Sequence, residues 1–169
     1  MASSEHRRWS PGCEPMTATD ISSLSMHEAR DLYFKQNGFS MDHYSASTFT
    51  IKLAGIPFTF PSTAARKRAL PLHDFHHILT GYRTNWVGEA EIGAWELRAG
   101  CKSFITYWLN GWGVVIGLFM SPRRVWRAFR AARGQHTLYV DDQPYPALLE
   151  FTVGALRRKL GIPPAGLAE

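Results

Sequence analysis

The chain has 169 residues, 45% of them hydrophobic and 20% charged, and a net charge of +5. That balance excludes an intrinsically disordered chain and describes one globular domain with enough apolar side chains for a core. Its two cysteines, Cys13 and Cys101, exclude a disulfide framework and a four-cysteine zinc site, and they fit a reducing compartment.

Residues 1–24 read as a flexible N-terminal tail. Arg7 and Arg8 are followed by no apolar run, and Glu5, Pro11, Glu14 and Pro15 suit neither a signal peptide nor an amphipathic transit helix. Ser25 is an N-cap for a helix over 25–36, with Met26, Ala29, Leu32 and Tyr33 at helical spacing and Asn37-Gly38 as its end. Two alternating runs, 48–53 and 56–60, flank Ala54-Gly55 and predict a β-hairpin, with Pro57 placing the second run at an edge. Pro61-Ser62-Thr63 predicts a helical turn through Arg68, and Pro71 separates it from a helix over 72–80 closed by Gly81. Thr84 or Asn85 caps the next helix, 86–99, which Gly100 ends.

Residues 104–120 are the most apolar segment, shorter than the ~20 residues a membrane-spanning helix needs. A buried or lipid-facing helix is the first reading and a membrane span the second. Ser121-Pro122 opens a basic helix to Arg133, and a last helix over 146–160 is stopped by Gly161 and Pro163. The expectation is a mainly α fold: a single helical domain of about six helices over 25–162, one small β-hairpin, and a C-terminal tail over 163–169.

The chemistry concentrates in Pro71-Leu72-His73-Asp74-Phe75-His76-His77, which holds three of the seven histidines. On a helix, positions i, i+1 and i+4 lie at roughly 0°, 100° and 40°, so His73, Asp74 and His77 share one side. Glu89 follows twelve residues after His77, across a short connection that makes the two helices antiparallel neighbours. Two imidazoles and two carboxylates form a mixed nitrogen and oxygen set suited to a divalent metal: zinc, or redox-active iron, manganese or cobalt. The structural alternative is a helix-terminal Asp74 favouring the macrodipole and core histidines bonded to carbonyls. His76 and Glu96 are candidates to orient a ligand from behind, Glu96 because it falls seven residues after Glu89 on the same face. A salt bridge from Glu96 to Arg98 or Arg66 is the competing expectation.

His73-Asp74-x-x-His77, eleven residues and then Glu89 resembles the metal motif of a ubiquinone (coenzyme Q) biosynthesis family, the Coq-four proteins. The flanks Leu79-Thr80-Gly81-Tyr82 and Gly88-Glu89-Ala90 agree with it. The resemblance covers about residues 25–162 and is strongest from Pro71 to Leu97; the tail before Ser25 matches no part of the family. It implies a helical protein whose His73, Asp74, His77 and Glu89 bind a divalent metal and act as catalytic residues. It further implies a hydrophobic groove for a prenyl tail, and association with membranes and other quinone-biosynthesis proteins. The family is credited with replacing the C1 carboxyl of a prenylated hydroxybenzoate by a hydroxyl, a lyase-type oxidative decarboxylation. It has also been described as a non-catalytic lipid-binding scaffold.

On that resemblance Phe104, Tyr107, Trp108, Gly111, Val114, Val115 and Leu118 are expected to contact a prenylated aromatic lipid, with plain core packing as the alternative. Arg123, Trp126, Arg127 and Arg130 on the basic helix are expected to meet an anionic membrane surface. A solvated face and nucleic acid are the rival readings; no nucleic-acid-binding signature accompanies the arginines, so no nucleic-acid partner is expected. The expected location is cytoplasmic, peripheral to the inner face of the membrane, and a homodimer is a candidate assembly.

Overall fold

The computed structural model describes residues 20–53, 56–101, 111 and 114–168. Helix α1 (Met26–Asn37) begins where its sequence says: Ser25 and Glu28 form a reciprocal capping box, and Gly38 closes the helix in the left-handed region at φ 69°. A one-turn helix α2 (Asp42–Ser45) follows, without a sequence signal strong enough to announce it. Strands β1 (Thr48–Leu53) and β2 (Ile56–Pro61) pair antiparallel with Thr48 opposite Pro61 and Leu53 opposite Ile56. Thr50 and Thr59 share a hydroxyl hydrogen bond of 2.9 Å across this hairpin.

Helix α3 (Ala64–Thr80) corrects the expectation of a break at Pro71. It runs through the proline as one element of 17 residues, capped by Thr63. Pro71 removes one backbone rung, but Phe75, Ile78 and Leu79 are buried beyond it. Each such side chain contributes roughly 1.5–3 kcal/mol on full burial, enough to hold the C-terminal turns in line. Helix α4 (Trp86–Ala99) starts at Asn85, whose side chain accepts the Gly88 N–H at 2.9 Å.

Residues 114–120 are helical. Ser121 leads into α5 (Pro122–Ala131), which buries Val125 and Ala128 and leaves its arginines outside. A Cβ on Gly117 would overlap that of Ala90, so the missing side chain lets this segment lie directly on α4. Arg124 grips buried Glu91 of α4 with two bonds of 2.9 and 2.6 Å.

The single C-terminal helix expected over 146–160 is two: α6 (Tyr145–Leu149) and α7 (Val153–Leu160). The break has a long-range cause. Phe151 carbonyl accepts from Met26 N–H at 2.8 Å, and Val153 N–H donates to Leu24 carbonyl at 2.9 Å, so the backbone here pairs with the start of α1. Thr152 then recaps α7 by accepting from Ala155 N–H. Of the two segments read as tails, residues 1–19 lie outside the described residues, and the described parts of both belong to the folded body. Asp20–Ser23 forms a 3-10 turn whose Ser22 is bonded by Arg157. Residues 163–168 return to α3, with Leu167 N–H donating to Thr80 carbonyl at 2.7 Å.

The fold is thus mainly α-helical in one body, with its core where α3 and α4 meet α1, α5 and α7: Met26, Phe75, Leu79, Ile92, Trp95, Val125 and Leu156 are buried there. Among the described residues no helix is long and apolar enough to cross a membrane.

Candidate metal centre

Helices α3 and α4 face each other antiparallel, and their polar contacts fix the register: His73 meets Glu96, while His77, one turn later on α3, meets Glu89, two turns earlier on α4. The loop between them is set by two glycines. Gly81 ends α3 at φ 82° and turns the chain so that the Tyr82 carbonyl lies 2.9 Å from His77 Nδ1. A Cβ on Gly88 would collide with the Arg83 carbonyl, so a glycine there lets the loop pass close to the first turn of α4, next to Glu89.

These contacts assign the protons. A carbonyl only accepts, so His77 Nδ1 carries the hydrogen and its Nε2 presents a lone pair. His73 Nδ1 lies 2.9 Å from Glu96 Oε1 and donates to it, turning its Nε2 toward the same space. The two Nε2 atoms are 3.2 Å apart; that of His73 is 3.3 Å from Glu89 Oε2 and that of His77 is 3.3 Å from Glu89 Oε1. Two ligand atoms sharing a zinc-like cation at 2.0–2.1 Å stand about 2.9–3.4 Å apart in octahedral or tetrahedral geometry. His73, His77 and Glu89 therefore form a group that could hold a metal ion, and the donor set fits a divalent one. His77 is buried, whereas the Glu89 side chain is 40% exposed, so the group opens to solvent on the α4 side.

Asp74 does not join this triangle, although the sequence placed it on the same side of α3. One position along the helix carries it to the neighbouring flank, where its Oδ2 accepts the Tyr44 hydroxyl of α2 at 2.7 Å. Burial raises the Asp74 carboxyl above its ordinary range, against the Tyr44 bond and the nearby histidines, which lower it. Tyr33 of α1 stacks on His77 with ring centroids 6.2 Å apart.

Behind the triangle sits a buried polar hub. Glu96 is fully buried, and its Oε1 takes His73 Nδ1 at 2.9 Å, His76 Nδ1 at 2.6 Å and the Tyr139 hydroxyl at 3.1 Å. The Leu138 N–H donates to His76 Nε2 at 2.9 Å, which leaves the His76 proton on Nδ1, pointing at Glu96. The salt bridge to Arg98 or Arg66 is thus replaced by a histidine pair; Glu96 holds the His73 ring from behind.

The electrostatics follow. Burial works against a charged His73, but the Glu96 and Glu89 carboxylates outweigh it and raise its pKa well above the usual value. Burial lowers the His76 pKa further than Glu96 raises it, consistent with a neutral ring. Burial also disfavours charge on Glu89 and Glu96, yet their histidine partners hold both carboxyls well below the usual range. Proton and cation thus compete for one His73 lone pair.

A cavity of about 470 Å³ opens beside His77, lined among others by Leu32, Tyr33, Tyr82, Arg83 and Asn85. Of the residues expected to contact lipid, Phe104, Tyr107 and Trp108 lie outside the described residues. Gly111 is helical, Val114 packs against the core, and Val115 and Leu118 are exposed. Arg123, Trp126, Arg127 and Arg130 are all on the exposed side of α5. No sequence pattern marks Tyr44 or Tyr139; Tyr82 stands in a motif flank, directly after the Gly81 stop.

No protein-family model matches the chain, and no curated protein or solved structure matches it. The class of the site therefore rests on its own atoms: two imidazoles with fixed tautomers and a carboxylate, gathered by an antiparallel helix pair, as in a divalent-metal centre.

Proposed function

We propose that this chain is a metal-dependent protein of ubiquinone biosynthesis, of the kind its His73-Asp74-x-x-His77…Glu89 motif resembles. It binds a prenylated hydroxybenzoate beside the metal centre and carries out C1 decarboxylation and hydroxylation of the ring. The observation that supports it most is the convergence of His73 Nε2, His77 Nε2 and Glu89 at 3.2–3.3 Å, with Glu96 and the Tyr82 carbonyl orienting the rings from behind. A pure lipid scaffold has no need of such an arrangement.

His73, His77 and Glu89 would hold the cation, and Asp74 stands one position away on α3. A divalent metal there supplies Lewis acidity toward a carboxylate or phenolate and, if redox-active, a path for electrons leaving the ring. Glu96 keeps His73 in the metal-binding tautomer, and Tyr33 and Tyr82 wall the cavity beside His77 in which an aromatic head fits. The net change releases the ring carboxyl as CO₂ and places a hydroxyl on the same carbon, so it consumes a two-electron oxidant such as dioxygen.

Exposed Val115, Leu118, Phe119 and Met120, followed by basic α5, support a peripheral position at the inner face of the cytoplasmic membrane, beside other quinone-biosynthesis proteins. His77→Ala tests the reading. Metal content and conversion of the prenylated acid to the phenol by the purified protein are expected to fall together; conversion that persists after metal is lost overturns the metal-dependent reaction, and metal-loaded wild type that binds the acid without converting it leaves a scaffold.

A further inference from the structure

The strongest unassigned feature outside the metal centre lies where α4 meets α5. Trp126, Phe129 and Arg130 recur at i, i+3 and i+4, so they make one stripe, adjacent to the buried Val125 and Ala128 stripe, and Arg133 continues it from the turn that follows the helix. Arg98 reaches this stripe from the last turn of α4, and together these five residues line a cleft of about 340 Å³. Trp126 and Phe129 stack with ring centroids 5.6 Å apart and planes within 16°. The Arg98 guanidinium sits 4.8 Å over the Phe129 ring. Stacking uses the face of a guanidinium and leaves its N–H donors free in the plane. Among the described residues no carboxylate lies within ion-pair distance of Arg98, Arg130 or Arg133, unlike Arg124 at the start of α5, which Glu91 neutralises.

Three uncompensated forks around an aromatic wall match a tetrahedral anion, since guanidinium groups recognise phosphate oxygens in pairs. The surroundings choose the carrier of that anion. Leu118, Phe119 and Met120 lead directly into α5 exposed, Phe119 at 88% and Trp126 at 59%. A free phosphate has no use for exposed apolar side chains, whereas a phosphate at the headgroup level of a bilayer has acyl chains beneath it and an interface that favours tryptophan.

We infer that the Arg98–Arg130–Arg133 cleft is a binding site for the phosphate of an anionic phospholipid, with Trp126 lying at the interface. The inference rests on the membrane-facing reading of α5 and adds to it a discrete site and a ligand chemistry.

Full-length protein is floated with vesicles of phosphatidylcholine alone and of phosphatidylcholine with one quarter phosphatidylglycerol. Binding is expected only to the second. Each basic residue at an anionic surface contributes roughly fivefold, so Arg98→Gln with Arg133→Gln is expected to weaken binding about 25-fold. Arg68→Gln with Arg158→Gln removes the same charge from exposed positions outside the cleft and is expected to cost under about threefold. Equal losses from the two pairs overturn the site in favour of diffuse attraction. Millimolar inorganic phosphate that binds the wild type and abolishes flotation overturns the lipid as its source. Metal content is read on every variant: a wild type that takes up metal and never floats sinks the cleft and leaves the metal reading standing. Unchanged far-ultraviolet circular dichroism shows that the double variants fold.

Discussion

Replacing Glu96 by glutamine probes the centre without touching a proposed metal ligand. The side chain keeps its shape and loses its charge inside a site with no solvent exposure. Among the described residues Glu96 accepts three hydrogen bonds, from His73, His76 and Tyr139. Bonds to a charged acceptor contribute about 1 kcal/mol more than neutral ones, so the three together lose about 3 kcal/mol. Removing the buried carboxylate also relieves a desolvation cost of several kcal/mol. The two nearly cancel, and the denaturation midpoint is expected to move little. Metal affinity has no such offset, because His73 loses the charge that fixes its Nδ1 hydrogen and makes its Nε2 a stronger donor. Loss of such a supporting partner costs roughly 10–100-fold in affinity. Competition against a fluorescent chelator measures it directly, with Glu96→Gln beside wild type at one pH. An affinity within twofold of wild type would refute the claim that Glu96 works through His73. Glu96→Ala is the companion case: it strands three buried donors at about 1 kcal/mol or more each and is expected to lower stability by at least ~3 kcal/mol.

Stability of the metal-free protein is expected to depend on pH in a defined way. Glu96 is depressed in the fold, so its contribution is complete above the unfolded carboxylate value of about 4.3 and is lost as pH falls below it. His73 is raised, so its contribution is complete below about 6.5 and is lost as pH rises through its elevated folded value. Urea titrations in chelator should therefore give a maximum between those limits, and saturating metal should remove the alkaline decline; a flat profile contradicts the pairing. Gly88→Ala drives a methyl into the Arg83 carbonyl and is expected to destabilise the fold by about 2 kcal/mol and weaken metal binding through Glu89, measured by thermal unfolding and metal titration.

Local chemistry made much of this legible. Ser25, Glu28 and Gly38 fix α1 because capping is a short-range code, and the His73–His77–Glu89 geometry follows from helical spacing plus a five-residue connection. What escaped the sequence came from distance. The interruption at Phe151 and Thr152 is fixed by backbone pairing with Leu24 and Met26, more than a hundred residues away, which no local window contains. Pro71 reads locally as a break because its neighbours' burial is invisible to a window of residues. The partner of His77 is a main-chain oxygen, which carries no residue identity, and Tyr139 reaches Glu96 from a turn 43 positions on. Asp74 shows the reverse error: a single 100° step suffices to hand a carboxylate to a different neighbour, here Tyr44.

Helix α4 carries Glu89 near one end, Arg98 near the other, and between them Glu91, locked to α5. Nine residues at 1.5 Å each make it a ruler of about 14 Å between the histidine triangle and the arginine cleft. Nine steps of 100° also place the two sites half a turn out of phase, so one rigid rod holds the histidine triangle and the arginine cleft at fixed height on opposite sides of itself.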